Sequence, residues 1–174
     1  MQPSNIENSF EQKTIIQHTF NDFHVARSIF LDAFSELEKA VSKLLSCSPT
    51  FNEVAKTPFG NRIQELKNLK PCQKISKEKC AKLSDKIDRI RPIMLIRSDI
   101  VHSEMNVVNL NGVMHAKICN NYTVVNDPTL VRLLNIECFK ILTKEAKKLA
   151  NELNQMFNPP SSPLQPLQGV KAGL

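Results

Sequence analysis

Ile16, Phe23, Phe30, Leu37 and Leu44 recur every seven residues, and Phe20, Phe34 and Val41 fill the places between them. Only a helix brings residues three, four and seven apart onto one side, so this run predicts one long amphipathic helix starting near Thr14. The pattern stops at Ser46-Cys47-Ser48-Pro49, where serine and proline disfavour continuation. A stripe of that length must be covered by other elements, which makes the helix the spine of whatever forms. Arg27 stands in the stripe where an apolar residue belongs. It either snorkels outward past Phe23 and Phe30 or turns into a polar pocket of the core. Ala26, Ala33 and Ala40 form a small-residue row along which a second helix, or a partner's helix, can approach closely.

Three further helical segments follow. Thr57 to Leu66 reads as a turn leading into a short helix with Ile63, Leu66 and Leu69 on its buried side, and Lys70-Pro71 ends it. From Ser76, which suits an N-cap, Cys80, Leu83, Ile87, Ile90 and Met94 mark a second long stripe. Pro92 is expected to kink or split that helix and to push Arg91 out of it. Asp127-Pro128 predicts the start of the last helix, running to about Phe157 with Leu134, Cys138, Leu142, Leu149, Leu153 and Met156 as its stripe. Between these, Val107 to Ile118 is the clearest strand signal. Asn111-Gly112 supplies the two positive φ angles of a type I′ turn, so Leu110 is set opposite Val113 and Val108 opposite His115. The expected architecture is therefore all-α: a bundle of four to five helices with a small β-hairpin inserted before the last long helix. Residues 1–13 are expected to be a flexible arm, 14–157 the domain, and 158–174 a disordered Pro/Ser-rich tail.

At 174 residues the chain suits one domain with a core that needs no staples. Its five cysteines are dispersed, with no CxxC pair and no histidine at zinc-ligand spacing, so no metal and no cofactor is expected. The absence of a basic start with an apolar run, and of any long apolar window, predicts a cytoplasmic protein without a membrane. A net charge of +6 favours acidic partners such as nucleic acid.

The second long stripe carries the chemistry. Continued past Met94 by three and four residues, it reaches Arg97 and then Val101, so an arginine points where a hydrophobe belongs. His102 follows five residues later. Histidine exchanges protons near neutral pH, and the arginine fork matches phosphate oxygens. Lys82, Lys86, Arg89 and Arg91 lead along the helix towards Arg97 as a candidate RNA-binding ridge, although Glu78, Asp85 and Asp88 on the other flank also fit an ordinary solvated face. Five residues turn an ideal helix through about 500°, so Arg97 and His102 sit roughly 140° apart. A shared site needs the helix to end or distort near His102, or two copies to meet in a symmetric dimer.

Arg97-Ser98-Asp99-Ile100-Val101-His102, late in a helical domain, resembles the arginine, polar residue, three residues, histidine motif of HEPN (higher eukaryotes and prokaryotes nucleotide-binding) domains. The resemblance implies a metal-independent endoribonuclease of toxin-antitoxin, defence or stress systems, acting as a homodimer on RNA. Arg97 and His102 would be catalytic, with Ser98 at the polar position most often held by asparagine. Asp99 adds negative charge close to where phosphate would bind. The segment Phe59-Gly60-Asn61-Arg62-Ile63 is similar to one in the mannitol-operon-repressor-like branch. That branch implies a non-enzymatic regulatory or interaction module. Besides RNA and a second copy, the resemblance as a whole implies an antitoxin or a regulatory protein as a partner. A third reading is a module paired with a nucleotidyltransferase, with Tyr122 as a modification target.

Overall fold

The computed structural model describes residues 5–48, 54–120 and 130–156, with side chains from Thr19 onwards in the first segment. The spine is α1, Asn5–Leu45, which begins upstream of Thr14. At about 1.5 Å per residue its 41 residues extend roughly 60 Å. Phe23, Phe30, Phe34, Leu37, Val41 and Leu44 are all buried, each worth about 1.5–3 kcal/mol of apolar burial. Among the stripe residues whose side chains are described, Phe20 is the exception: it is partly exposed and meets the His24 ring edge-on at 4.4 Å, and the side chain of Ile16 lies outside that description.

A short 3-10 turn, Val54–Lys56, precedes α2, Phe59–Leu66. Ile63, Leu66 and Leu69 are buried, as the periodicity predicts. Ser76 does cap the next helix, accepting from the Lys79 amide at 3.3 Å, but this helix, α3, is only Lys77–Ala81. The long helix α4 then runs without interruption from Leu83 to His102. Pro92 therefore does not break it, and Arg91 stays helical. The proline is on the exposed side, where water can satisfy the Asp88 carbonyl that loses its amide partner. Beyond Ile90 the buried stripe passes through Ile93 and Ile100, with Met94 half-buried and Val101 exposed.

The all-α expectation is corrected by a three-stranded antiparallel sheet. Strands β1, Glu104–Leu110, and β2, Val113–Asn120, form the hairpin, with Leu110 opposite Val113 and Val108 opposite His115. Asn111 and Gly112 have φ of 52° and 82°, which a type I′ turn requires. The third strand, β3, is Leu130–Leu134, where the sequence pattern extends the last helix. Pairing with β3 satisfies the outer edge of β2, from Ala116 to Asn120, which a lone hairpin would leave open. The last helix, α5, is consequently shorter, Ile136–Asn154, with Asn135 as its cap, accepting from the Cys138 amide at 2.9 Å. Asp127-Pro128, Tyr122, Phe157 and the Pro/Ser-rich tail lie outside the described residues.

Helix α1 packs most extensively on α5, with α2, α4 and β1 also against it. Phe139 of α5, absent from the expected stripe, is buried edge-on against Phe23 with centroids 6.3 Å apart, whereas Ile141 is exposed. Ala33, Ala40 and, on the facing helix, Ala146 and Ala150 are buried, small residues suited to close helix approach. Among the described residues no helix is long and apolar enough to cross a membrane.

Candidate active site on α4

Arg97 leaves α4 towards α1 and α2. Its guanidinium lies 5.5 Å over the Phe34 ring and 3.9 Å from the Glu38 carboxylate. With Ser98, Met94, Phe59 and Gly60, these residues line a pocket of about 240 Å³. Phe34 and Phe59 meet edge-on at 5.2 Å and form its aromatic wall. A Cβ built on Gly60 would meet Met94 Sδ at an ordinary 3.9 Å, so packing there does not demand glycine.

At 3.9 Å the ion pair is too long for a hydrogen bond, and 33% of the Arg97 side chain is exposed. Its guanidinium makes no hydrogen bond among the described residues, so its donors are open to an anion. Ser98 lies within the same pocket. His102 does not line it: it is the exposed last residue of α4, about 140° around the axis from Arg97. The structure thus unites Arg97 with Ser98 in one chain and turns His102 towards a different side.

Asp99 is 6% exposed and ion-paired to Arg132 of β3, so its charge is neutralised away from the pocket. The adjacent turn is fixed by Arg27. This residue takes the inward course, donating from Nη2 to the Ile100 carbonyl at 2.8 Å. That carbonyl belongs to the last turn of α4, which has no intrahelical donor and favours a cation.

The candidate ridge is largely occupied. Lys86 Nζ lies 2.5 Å from Glu152, and Arg89 binds Glu145 at 2.6 Å and Glu152 at 2.9 Å, all across the interface with α5. Lys86 foremost, with Arg89 assisting, holds the Glu152 carboxyl below the ordinary range; Glu145 and Glu152 hold the Arg89 pKa up. Lys82 is exposed and pairs with Glu78 at 2.9 Å, and Arg91 donates to Gln64 at 3.3 Å. In the segment singled out on α2, Arg62 donates to Ser42 Oγ at 2.6 Å and stacks on Phe59 at 5.3 Å.

Sequence reasoning missed Glu38, Phe34 and Phe59 as pocket residues and Glu145, Glu152 and Arg132 as partners. Phe34 was visible only as core. Glu145 and Glu152, seven apart on one face of α5, were the available signal for an acidic counterpart to Lys86 and Arg89. His115 is half-buried on β2 with Nδ1 2.9 Å from the Val113 carbonyl. All five cysteines are free, and burial, with Cys72 nearby, pushes the Cys47 and Cys80 thiols up, away from a nucleophile's range. Among the described residues no group of three or more potential ligands could hold a metal. Comparison of the chain with protein-family models, curated proteins and solved structures gives no significant match.

Proposed function

We propose that the chain is a HEPN-type endoribonuclease that cleaves RNA without a metal at a site built by two copies. The observation that carries this reading is the state of Arg97: partly exposed, bordered by Ser98, and with its hydrogen-bond donors open, on the helix that ends in exposed His102. Arginine in that condition suits the charge on a phosphate in transition. Because the two residues lie about 140° apart on α4, the second copy supplies the histidine that faces the arginine, and the pair of chains supplies two.

Neutral His102 of one copy takes the proton of a ribose 2′-hydroxyl, whose oxygen attacks the adjacent phosphorus. Arg97 holds the non-bridging oxygens as charge accumulates. The bond from phosphorus to the 5′-oxygen breaks, and protonated His102 of the other copy gives that oxygen its proton. The products are a 2′,3′-cyclic phosphate and a 5′-hydroxyl.

The test is incubation of the purified protein with a mixed RNA pool in chelator, wild type beside His102→Ala, followed by analysis of the cleaved ends. Wild type should leave cyclic phosphate ends, and the variant should lose cleavage by a factor of about 10² or more while remaining folded. Equal cleavage by the two removes the mechanism. A second reading, a non-enzymatic interaction module of the mannitol-operon-repressor-like kind, is favoured by the engagement of Arg62 with Ser42 and Phe59 and by the ion pairs of Lys86 and Arg89. It predicts a wild type inert towards RNA and an Arg97→Ala protein that loses its fold.

A further inference from the structure

On the side of α1 turned about 150° from the Arg97 pocket lies a larger open groove, about 1000 Å³, between α1 and α5. Its two walls differ in chemistry. Val25 and Ile29 on the α1 wall are 58% and 48% exposed, and Ile136 and Phe139 continue the apolar surface at its base. The α5 wall presents Lys140, Lys144, Lys147 and Lys148, which recur at helical spacing along one face.

Lys140 lies 3.3 Å from Glu137, but Lys144, Lys147 and Lys148 have no carboxylate partner among the described residues. Glu152 also reaches the groove, where Lys86 and Arg89 already neutralise it, leaving Asp22 as the remaining carboxylate there among the described residues. The groove therefore pairs an uncovered apolar strip with a parallel strip of lysines, of which Lys144, Lys147 and Lys148 are in no ion pair among the described residues.

We propose that this groove docks an acidic amphipathic helix of a protein partner, apolar stripe on Val25 and Ile29, carboxylates on the α5 lysines. The span from Lys140 to Gln155 is about 22 Å, the length of roughly four helical turns, and a third helix lying along two packed helices buries both strips at once. The other occupants fit less of this surface. A second copy related by a two-fold axis presents the same groove, whose described carboxylates are Asp22 and the already paired Glu152, so it has no acidic strip to set against the lysines. RNA would use the lysines and leave Val25 and Ile29 wet. Residues 157–174 contain no aspartate or glutamate and one lysine, so they offer nothing to the basic wall.

The probe is a labelled synthetic peptide of about 16 residues with leucines at three-four spacing and glutamates on both flanks, titrated by fluorescence anisotropy against the full chain. Saturable binding should weaken at least tenfold in Lys144→Glu/Lys148→Glu and in Ile29→Asp, all surface changes, and should weaken as salt is raised. A lysine-for-glutamate version of the peptide should bind the charge-reversed protein better than it binds wild type. The proposal is overturned by equal affinity for a scrambled peptide of the same composition, or by binding that appears only after residues 157–174 are removed. It is also overturned if Ile29→Asp dissociates a dimer of the chain, or if single-stranded RNA competes the peptide off. RNA cleavage by wild type is read separately, so failure here leaves the assignment of Arg97 and His102 untouched.

Discussion

Arg89 and Arg97 stand two turns apart on one helix and meet opposite fates. Arg89 is closed in by Glu145 and Glu152, whereas Arg97 has an aromatic ring beneath it and one carboxylate at 3.9 Å. Arg97→Lys should keep the charge and lose the fork, lowering RNA cleavage roughly tenfold or more with the fold intact, as measured by single-turnover rates and circular dichroism. Glu38→Gln removes the negative charge that competes with phosphate. It should strengthen RNA binding by roughly two- to fivefold, the size expected for a partly exposed pair, and a binding isotherm measures it. The oddity of Arg97 could be read from the sequence, because its place in the stripe is a matter of local spacing. The identity of its neutralising partner could not, since Glu38 sits beside the α1 stripe like any solvated glutamate until α4 is laid against it.

At the scale of elements, local period was a good guide and pairing between distant segments was not. The α1 stripe, the buried face of α2 and the register of the hairpin follow from spacings of seven, three-four and two, all contained within one segment. Strand β3 was hidden because Leu134, Cys138 and Leu142 keep a helical rhythm across its end, and its reason for being extended lies on β2 and in the pair between Arg132 and Asp99. Asp99→Ala leaves Arg132 half-buried without its carboxylate. It should cost about 2–4 kcal/mol in denaturant unfolding, and Asp99→Ala/Arg132→Leu should recover part of that.

The clasp between α4 and α5 gives a pH dependence. Its Glu152 carboxyl is depressed by Lys86 and Arg89, so the stabilisation it provides is present above the unfolded value, about 4.3, and is lost as pH falls through the lower folded value. Glu152→Gln should lose about 1–3 kcal/mol at neutral pH, between the exposed and buried limits. Between neutrality and the acid range the variant should also show a shallower fall in stability than wild type. Unfolding curves across that range measure both.

For the molecule as a whole, a net charge of +6 says little until its placement is known. Much of the positive charge on α4 is used to bind α5, and Lys144, Lys147 and Lys148, in no ion pair among the described residues, face away from Arg97 on the groove between α1 and α5. On the proposed reading Arg97 takes the anion, exposed His102 is turned to another side of the same helix, and a two-fold arrangement of copies would join them. The central claim is that the site belongs to two chains, and mixing Arg97→Ala protein with His102→Ala protein tests it most directly. Each variant alone should be inactive on RNA. After subunit exchange, mixed dimers carry one Arg97 and one His102 on different chains; that histidine still serves as base while water gives the leaving oxygen its proton, so cleavage with cyclic phosphate ends should return to a small but measurable fraction of wild type. A mixture as inert as its two components, beside an active wild type, would contradict the claim.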